Sequence, residues 1–369
     1  MFAGGGMARL GLGENWQCLL ANDIDAMKCK TYRKNFGSED LIENDIHRLD
    51  VNAFPQARAD LMWGSFPCQD LSLAGPRAGI AGPRSGAFFG FWRIFEDLHR
   101  ANCAPRIIAL ENVTGLLTSN GGADFSTIAT RIANAGYRVS AVIIDAVHFT
   151  PQSRPRLFIF GFAPDLASNL RDLPTGKHQP MIERAQDRLP ETIRSSWIDL
   201  PSPDRQRTQL RLADIIDHRA ENWLDDNRSN TLLTMMAPAQ RARIAALIKH
   251  KATRFGTGFR RTRRENGVSV QRFEVRFDNI AGCLRTPAGG SSRQFIIAVD
   301  NGQIRIRLMS GREAARLMGI DDDYALPTSA TAALKICGDG VCVPVVKWIG
   351  EHILQPALSH DACALASCA

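Results

Sequence analysis

The first 165 residues alternate short apolar runs with segments of helical spacing. This alternation predicts the α/β class, with a parallel sheet covered by helices on both faces. Apolar residues recur at helical spacing in the second predicted helix and indicate a face that packs in the core; they are Phe88, Phe91, Trp92, Phe95 and Leu98. The predicted strands are Cys18–Asn22, Asp60–Gly64, Ile107–Leu110, Val139–Val147 and Leu157–Phe162, and the predicted helices are Ala26–Phe36, Ser85–Ala101 and Phe125–Ala135.

Beyond residue 165 the pattern becomes irregular, with frequent Pro, Asp, Arg and Ser. We expect a helix over Ala239–His250 and a strand over Ser269–Phe277. A hairpin is predicted from Phe295–Val299 and Gln303–Arg307, which flank Asp300-Asn301-Gly302. Two further helices are expected, Ser310–Met318, which opens with a capping box, and Val341–Leu354.

The positive charge of the chain is confined to one region. Residues 165 to 300 hold 23 Lys and Arg against 16 Asp and Glu, and the remainder balances at 22 against 22. The densest stretch contains Arg254, Arg260, Arg261, Arg263 and Arg264. Such a cluster is also typical of a solvated face, but its confinement favours a surface that meets nucleic acid.

Composition argues against several other classes of protein. No apolar segment approaches the length of a membrane span and no signal-peptide pattern opens the chain, so we expect a cytoplasmic protein. The nine cysteines are odd in number and include no Cys-x-x-Cys pair, and no histidines are spaced to complete a zinc site. We therefore expect neither a metal nor a disulfide framework.

Chemically capable side chains follow the predicted strands. Cys68, in Pro-Cys-Gln, comes after Asp60–Gly64, at the end of a sheet where ligands bind. Glu111 follows the strand Ile107–Leu110 and is either a satisfied core acid or a general acid. Arg154 and Arg156 alternate in an extended segment, so with Gln152 they either converge on a planar or anionic substrate or lie on the surface.

A second group of residues suggests a cofactor site. The opening Phe2-Ala-Gly-Gly-Gly allows close approach to the backbone. Asp23 lies about 20 residues further on, where a carboxylate can accept ribose hydroxyls. Asp45, in Asn-Asp-Ile, offers another acid. Each acid taken alone is also typical of a cap or turn.

The order of these motifs resembles the DNA cytosine-5 methyltransferase family, the S-adenosylmethionine-dependent enzymes of bacterial restriction–modification systems. The motifs are Phe-x-Gly-x-Gly, Asn-Asp-x-Asp, Asn-Asp-Ile, Pro-Cys-Gln, Glu-Asn-Val, Gln-x-Arg-x-Arg, Arg285-Thr-Pro-Ala-Gly-Gly and Gly338-Asp-Gly-Val, and they cover nearly the whole chain. The resemblance implies a Rossmann-like S-adenosylmethionine-dependent methyltransferase domain with a smaller, variable target recognition domain. The implied division is 1–165 for catalysis and cofactor binding, 166–300 for target recognition, and 301–369 for a segment returning to the catalytic domain.

The resemblance also assigns roles to residues. Cys68 would be the nucleophile, Glu111 the acid that reads the base, and Arg154 and Arg156 would orient the target cytosine and its phosphate. Phe2 and Ile24 would pack on the adenine of the cofactor. The implied cofactor-binding set is Phe2, Gly4, Gly6, Asp23, Ile24, Asp45, Ile46, Pro67, Asp339 and Val341. The implied DNA-binding set is Gln69, Ser72, Gln152, Arg254, Arg260, Arg261, Arg263 and Arg264.

The implied reaction is methyl transfer to carbon 5 of a cytosine in a specific double-stranded DNA sequence. Cys68 would add to carbon 6 of a flipped-out base, and the segment Leu71–Arg84 would close over it. We expect a monomer, with a cognate restriction endonuclease encoded separately.

Two alternatives share the motifs, a transfer-RNA cytosine-5 methyltransferase and a catalytically impaired DNA-binding homologue. The sequence departs from the family pattern at three places. The apolar strand that usually precedes the first motif is expected to be missing before Phe2, Met7 replaces a glycine, and Asp339 stands where Asn is typical.

Overall fold

A computed structural model describes residues 1–54, 57–67, 86–174, 176–204, 207–249, 253–287 and 293–359. Cys68, Gln69, Ser72 and the segment Leu71–Arg84 lie outside these ranges. The strands are β1 (Ala21–Asp23), β2 (Leu41–Glu43), β3 (Leu61–Gly64), β4 (Ile107–Val113), β5 (Arg138–Asp145), β6 (Pro155–Phe162), β7 (Arg254–Glu265), β8 (Val268–Arg276), β9 (Gln294–Asp300) and β10 (Gln303–Leu308). The α-helices are α1 (Met7–Leu12), α2 (Ala26–Phe36), α3 (Ala87–Arg100), α4 (Ala123–Asn134), α5 (Pro180–Gln186), α6 (Glu191–Arg194), α7 (Leu212–Ile215), α8 (Asp226–Thr234), α9 (Pro238–Ile248), α10 (Gly311–Leu317), α11 (Ala330–Asp339), α12 (Val343–Ile349) and α13 (Gln355–Leu358).

The chain divides into two compact units. The first comprises Met1–Asp145, Pro155–Asp204 and Val345–Ala369, and the second comprises Ala146–Arg154 and Arg205–Pro344. The functional division at residues 165 and 300 stays a prediction. Among the described residues, no helix is both long and apolar enough to cross a bilayer.

The first unit holds a parallel pair, β1–β2, and a four-stranded sheet in the order β3-β4-β6-β5. The prediction of an all-parallel sheet is wrong, because β6 runs antiparallel to both β4 and β5. The link between β5 and β6, Ala146–Arg154, is too short for the helical crossover that a parallel connection requires. The reversal brings the start of β6 beside the end of β4.

The predicted aromatic face of α3 is confirmed. Phe88, Phe91 and Phe95 are at most 1% exposed and pack in one core with residues of β3, β4 and α4. Trp92 and Leu98 join the same cluster. This packing fixes β3 and β4, whose carboxyl ends carry the candidate site.

The second unit holds an antiparallel sheet in the order β10-β9-β7-β8. The predicted β9–β10 hairpin is confirmed, and its turn residues Asn301 and Gly302 both have positive φ, as a tight hairpin turn requires. Its core combines α8, α9 and the sheet. The arginine-rich stretch forms β7, a strand that the sequence pattern did not predict. Its glycines and alternating arginines mask the β pattern, and its pairing with both β8 and β9 stabilises the strand.

The start of α10 is tied to β10 by a buried ion pair. Ser310 and Glu313 form the predicted capping box. Arg307 binds both carboxylate oxygens of Glu313, and both side chains are completely buried. Burial raises the pKa of Glu313, but hydrogen bonds from Arg307 and from the backbone N–H groups of Ser310 and Asp217 outweigh it, so the net pKa lies below its usual value.

The predicted helix Val341–Leu354 begins later and is not uniform. Helix α12 starts at Val343, a π-helical turn covers Gly350–Leu354, and α13 follows.

Candidate functional site

Glu111 and Arg156 form an ion pair at the carboxyl end of β4. Arg156 lies opposite Val113 in the antiparallel register, so it shares a face with Glu111, two residues away. The Nε of Arg156 is 3.2 Å from Oε1 of Glu111, and the two side chains are 14% and 9% exposed. A buried carboxylate and a planar donor therefore meet where a polar ring can be read from one side.

Asn112 connects this pair to the segment that precedes Cys68. Because β3 and β4 are parallel, with Gly64 opposite Leu110, residues 65–67 leave the sheet beside Glu111. The buried amide of Asn112 donates to the carbonyl of Phe66 at 3.1 Å. Pro67 is the last described residue before Cys68. Sequence reasoning overlooked Asn112, although it lies within Glu-Asn-Val.

A second cluster lies at the ends of β1 and β2. The two oxygens of Asp23 accept hydrogen bonds from the backbone N–H groups of Gly4 and Asp25, at 2.8 and 2.9 Å. The N–H of Asn44 donates to the carbonyl of Asp23, which brings the segment after β2 alongside. Asp45 accepts from the N–H of His47. The structure thus brings Gly4, Asp23 and Asp45 together.

The surroundings of this cluster combine open space with an uncovered apolar side chain. Gly4 has φ +57°, and a side chain there would meet nothing within 4 Å. Ile24 is 66% exposed, unusual for a large aliphatic residue. Phe2 has a positive φ, and such backbone strain is concentrated at binding sites.

Gly6 and Ile46 of this predicted set, and the neighbouring Met7, are also packed within the first unit. Gly6 caps α1 with a positive φ, and a side chain there would overlap Phe36. Met7, which stands in the place of a glycine, is 2% exposed, and Ile46 is 4% exposed.

Arg154 and Arg156 do not share a set of contacts. Arg154 belongs to the second unit and is 2% exposed. Its guanidinium donates to the carbonyls of Leu284, Gly338 and Gly340, at 3.0, 3.0 and 2.7 Å. The expected convergence with Arg156 is therefore not seen in the described contacts of Arg154, and its role towards cytosine stays a prediction.

Gln152 is fully buried and also links segments of the second unit. It donates to the carbonyl of Leu317 and accepts from the N–H of Leu284. Asp339 is exposed and bonded to Thr286, and Val341 is 5% exposed. Among the described residues, no cluster of three or more His, Cys, Asp or Glu side chains could hold a metal ion.

The predicted DNA-binding arginines lie along β7. Arg254, Arg261, Arg263 and Arg264 are exposed, and Arg260 is partly buried. Arg263 pairs with Glu274 across the hairpin at 2.5 Å.

Comparison with known proteins identifies relatives of the whole chain. The type II methyltransferase M1.ScrFI of Lactococcus lactis subsp. cremoris is 28% identical over 358 residues, 96% of this chain and 77% of that protein. M.HpaII of Haemophilus parainfluenzae is 27% identical over 374 residues, 96% of this chain and 88% of that protein. The Dnmt2 methyltransferase of S. pombe has the same fold, with a TM-score of 0.59 and 16% identity over 97% of this chain and 98% of that chain.

The α/β methyltransferase fold expected from the sequence is confirmed by these likenesses. The model of the C-5 cytosine-specific DNA methylase family matches residues 1–355. The chain is a member of the C-5 cytosine-specific DNA methylase family.

Proposed function

We propose that this protein transfers a methyl group from S-adenosylmethionine to carbon 5 of a cytosine flipped out of a specific double-stranded DNA sequence. The observation that carries the proposal is the Glu111–Arg156 pair, beside the segment that leads into Pro67 and Cys68. Membership of the family supports the reaction class.

The cluster around Asp23 fits the adenosine part of the cofactor. Asp23 keeps acceptor capacity for ribose hydroxyls beyond its two backbone bonds, Asp45 can accept from an amino group, and Ile24 presents uncovered apolar surface to a ring. Phe2, Gly4, Gly6, Ile46, Pro67, Asp339 and Val341 complete the proposed set. When bound, S-adenosylmethionine supplies an electrophilic methyl group.

Cys68 provides the nucleophile in this proposal. Its thiolate adds to carbon 6 of cytosine, and the electron pair of the 5,6 double bond moves towards carbon 5, which becomes nucleophilic. Carbon 5 would then take the methyl group, and the electron pair of the broken S–CH3 bond would stay on the donor sulfur as a neutral thioether. Carbon 5 then loses its proton to solvent and the Cys68 sulfur leaves carbon 6 as a thiolate, which restores the double bond. The base must leave the stacked duplex for this addition, because its ring face is otherwise covered.

Glu111 reads the cytosine and Arg156 holds Glu111 in place. In its protonated form, the carboxyl group of Glu111 donates a hydrogen bond to ring nitrogen 3, where charge builds during addition, and it accepts one from the exocyclic amine, which thymine lacks. Arg156 contacts Oε1 of Glu111, which can also accept from the exocyclic amine, and leaves Oε2 to donate to ring nitrogen 3. The family resemblance implies that Arg154 also orients the cytosine, but its buried contacts with the carbonyls of Gly338 and Gly340 support a positioning role.

Type II methyltransferases among the relatives support a role in restriction–modification. We propose a monomer that acts on DNA in the cytoplasm, with a separately encoded endonuclease as its cognate partner.

The experiment that tests the function is expression in a methylation-deficient bacterial host, followed by bisulfite sequencing of plasmid DNA and of transfer RNA. We expect one protected cytosine context in the DNA and none in the RNA. Protection confined to transfer RNA, or no protection, would refute the proposal.

The roles of Cys68 and Glu111 are tested on a duplex that contains 5-fluorocytosine in the context found. Wild type is expected to form a denaturation-resistant adduct and Cys68→Ala is not. Glu111→Gln should slow adduct formation by about 10²-fold or more, the range for loss of an acid–base group. An adduct formed by Cys68→Ala would show that another residue is the nucleophile.

A further inference from the structure

The arginine-rich strand β7 and its partner β8 form a hairpin with an exposed tip. Its turn is Asn266-Gly267, with both residues at positive φ. From Arg261 to Ser269 every residue is exposed, so this part of the hairpin is accessible on both faces. The two faces carry different charges.

One face, which we name the carboxylate face, consists of Arg261, Arg263, Glu265, Arg272 and Glu274. Residues directly opposite in an antiparallel pair share a face, as Arg261 and Arg272 do. Ion pairs cross this face diagonally, from Arg263 to Glu274 and from Arg272 to Glu265. Two of its three arginines are therefore neutralised within the protein.

The other face, which we name the open face, consists of Arg260, Thr262, Arg264, Ser269 and Gln271. Thr262 lies opposite Gln271 and Arg264 opposite Ser269. The described residues of this face include no carboxylate, and no described carboxylate forms a salt bridge with Arg264. The open face thus consists of cationic side chains and neutral hydrogen-bonding groups.

A groove continues the open face towards the core. Phe273 and Phe295 lie on this side of the sheet, and a groove of about 540 Å³ between α8 and the sheet is lined in part by Phe295. Its lining combines Arg228, Arg260 and Arg293 with an apolar floor and includes no Asp or Glu, although Arg228 pairs with Asp225, which lies outside the lining, at 3.4 Å. Arg260 belongs to both the groove lining and the open face, so the two surfaces are continuous.

We propose that the open face and its groove form the DNA-contacting surface of the hairpin, and that the carboxylate face points away from DNA. This inference rests on the proposed function and divides the predicted arginines, since Arg264 and Arg260 contact DNA and Arg263 does not. A two-stranded ribbon fits the major groove. There Arg264 can bind a phosphate or guanine edge and Gln271 can bind an adenine edge, whereas Glu265 and Glu274 would repel phosphates.

The test compares salt-dependent DNA binding of matched variants by fluorescence anisotropy, without cofactor. The duplex carries the methylated context or, if none is found, a random sequence. The plot of log K against log salt has a negative slope. For Arg264→Gln we expect the magnitude of this slope to decrease by about 0.9, and for the double variant Arg260→Gln with Arg264→Gln by about 1.8. The control is Arg263→Gln with Glu274→Gln, which removes an ion pair without changing net charge and should leave the slope unchanged.

Melting temperatures of all variants show whether the hairpin remains folded, and the change at the exposed Arg264 is expected to leave the melting temperature unaltered. A loss of binding in the Arg263–Glu274 double variant equal to that of Arg264→Gln would overturn the inference. So would unchanged binding by the Arg260–Arg264 variant. In either case a wild type that still methylates DNA keeps the proposed function intact, whereas a wild type that neither binds nor methylates DNA refutes both.

Discussion

Arg154 offers a test of how a buried cation acts in this protein. Two of its acceptors, the carbonyls of Leu284 and Gly338, are buried, and the third, of Gly340, is partly buried. Replacement with Met keeps the stem but removes every donor. Each buried acceptor left unsatisfied costs about 1–3 kcal/mol, so the two buried carbonyls together imply about 2–6 kcal/mol.

This loss is large compared with the total stability of a domain, about 5–15 kcal/mol. At about 2–4 °C per kcal/mol, Arg154→Met should lower the melting temperature by roughly 10 °C. Differential scanning calorimetry measures this shift. Hydrogen exchange read by mass spectrometry should show lost protection at Ala281 and Leu284, whose amides bond Pro151 and Gln152. The control is Arg261→Met, an exposed change in the same unit that should alter neither quantity.

The two roles of Arg154 give opposite results. If Arg154 positions the end of α11 at Gly338–Gly340, Arg154→Met loses stability, and Arg154→Lys recovers part of it, since an ammonium group reaches some of the same carbonyls. The KM for the cofactor should then rise more than kcat falls, because Asp339, which belongs to the proposed cofactor set, lies in that segment. A variant that melts like wild type with normal exchange protection, yet fails to methylate DNA, would show that Arg154 acts on the cytosine and that this reasoning is wrong.

Two further substitutions and one labelling experiment have definite expected outcomes. Ile24→Ala should raise the KM for S-adenosylmethionine roughly 5- to 30-fold, because the apolar contact with the adenine ring is lost. The control is Val268→Ala, at a similarly exposed site, which should leave this KM unchanged. Equal effects of the two variants in steady-state kinetics would contradict the adenine contact. The pKa of Glu313 is lowered on folding, so its ion pair with Arg307 should stabilise the folded protein fully above about pH 4.3 and lose this effect as the pH falls through the lower pKa of the folded state. In urea titrations, Glu313→Gln should remove this dependence of the free energy of unfolding on acid pH. If the dependence is unchanged in the variant, the ion pair is not its source. Burial, and to a smaller extent the nearby Asp23 carboxylate, raises the pKa of Cys29 to about 11. At pH 8, iodoacetamide should therefore leave Cys29 unmodified in the folded protein and modify it in guanidinium, which mass spectrometry can check. Labelling of the folded form would show that the thiol is accessible and ionised.

The sequence by itself determined the family and most strands and helices of the first 165 residues, and it supplied the residues proposed to carry the chemistry. Local patterns suffice for these features. Apolar periodicity predicts α3 and its buried face, and Glu-Asn-Val marks a strand end without knowledge of its neighbours. The hairpin of β9 and β10 follows from its Asn301-Gly302 turn.

Only the tertiary structure decided which of these residues meet. Arg154 and Arg156 look equivalent in the sequence, yet strand pairing places Arg156 against Glu111. Arg154 instead donates to backbone carbonyls of segments more than a hundred residues away. The arginines of β7 also look alike, and the register of β8 alone determines which of them face a carboxylate. Charge and spacing are properties of the chain, but the partner of a charge is set by strand register and by contacts distant in sequence.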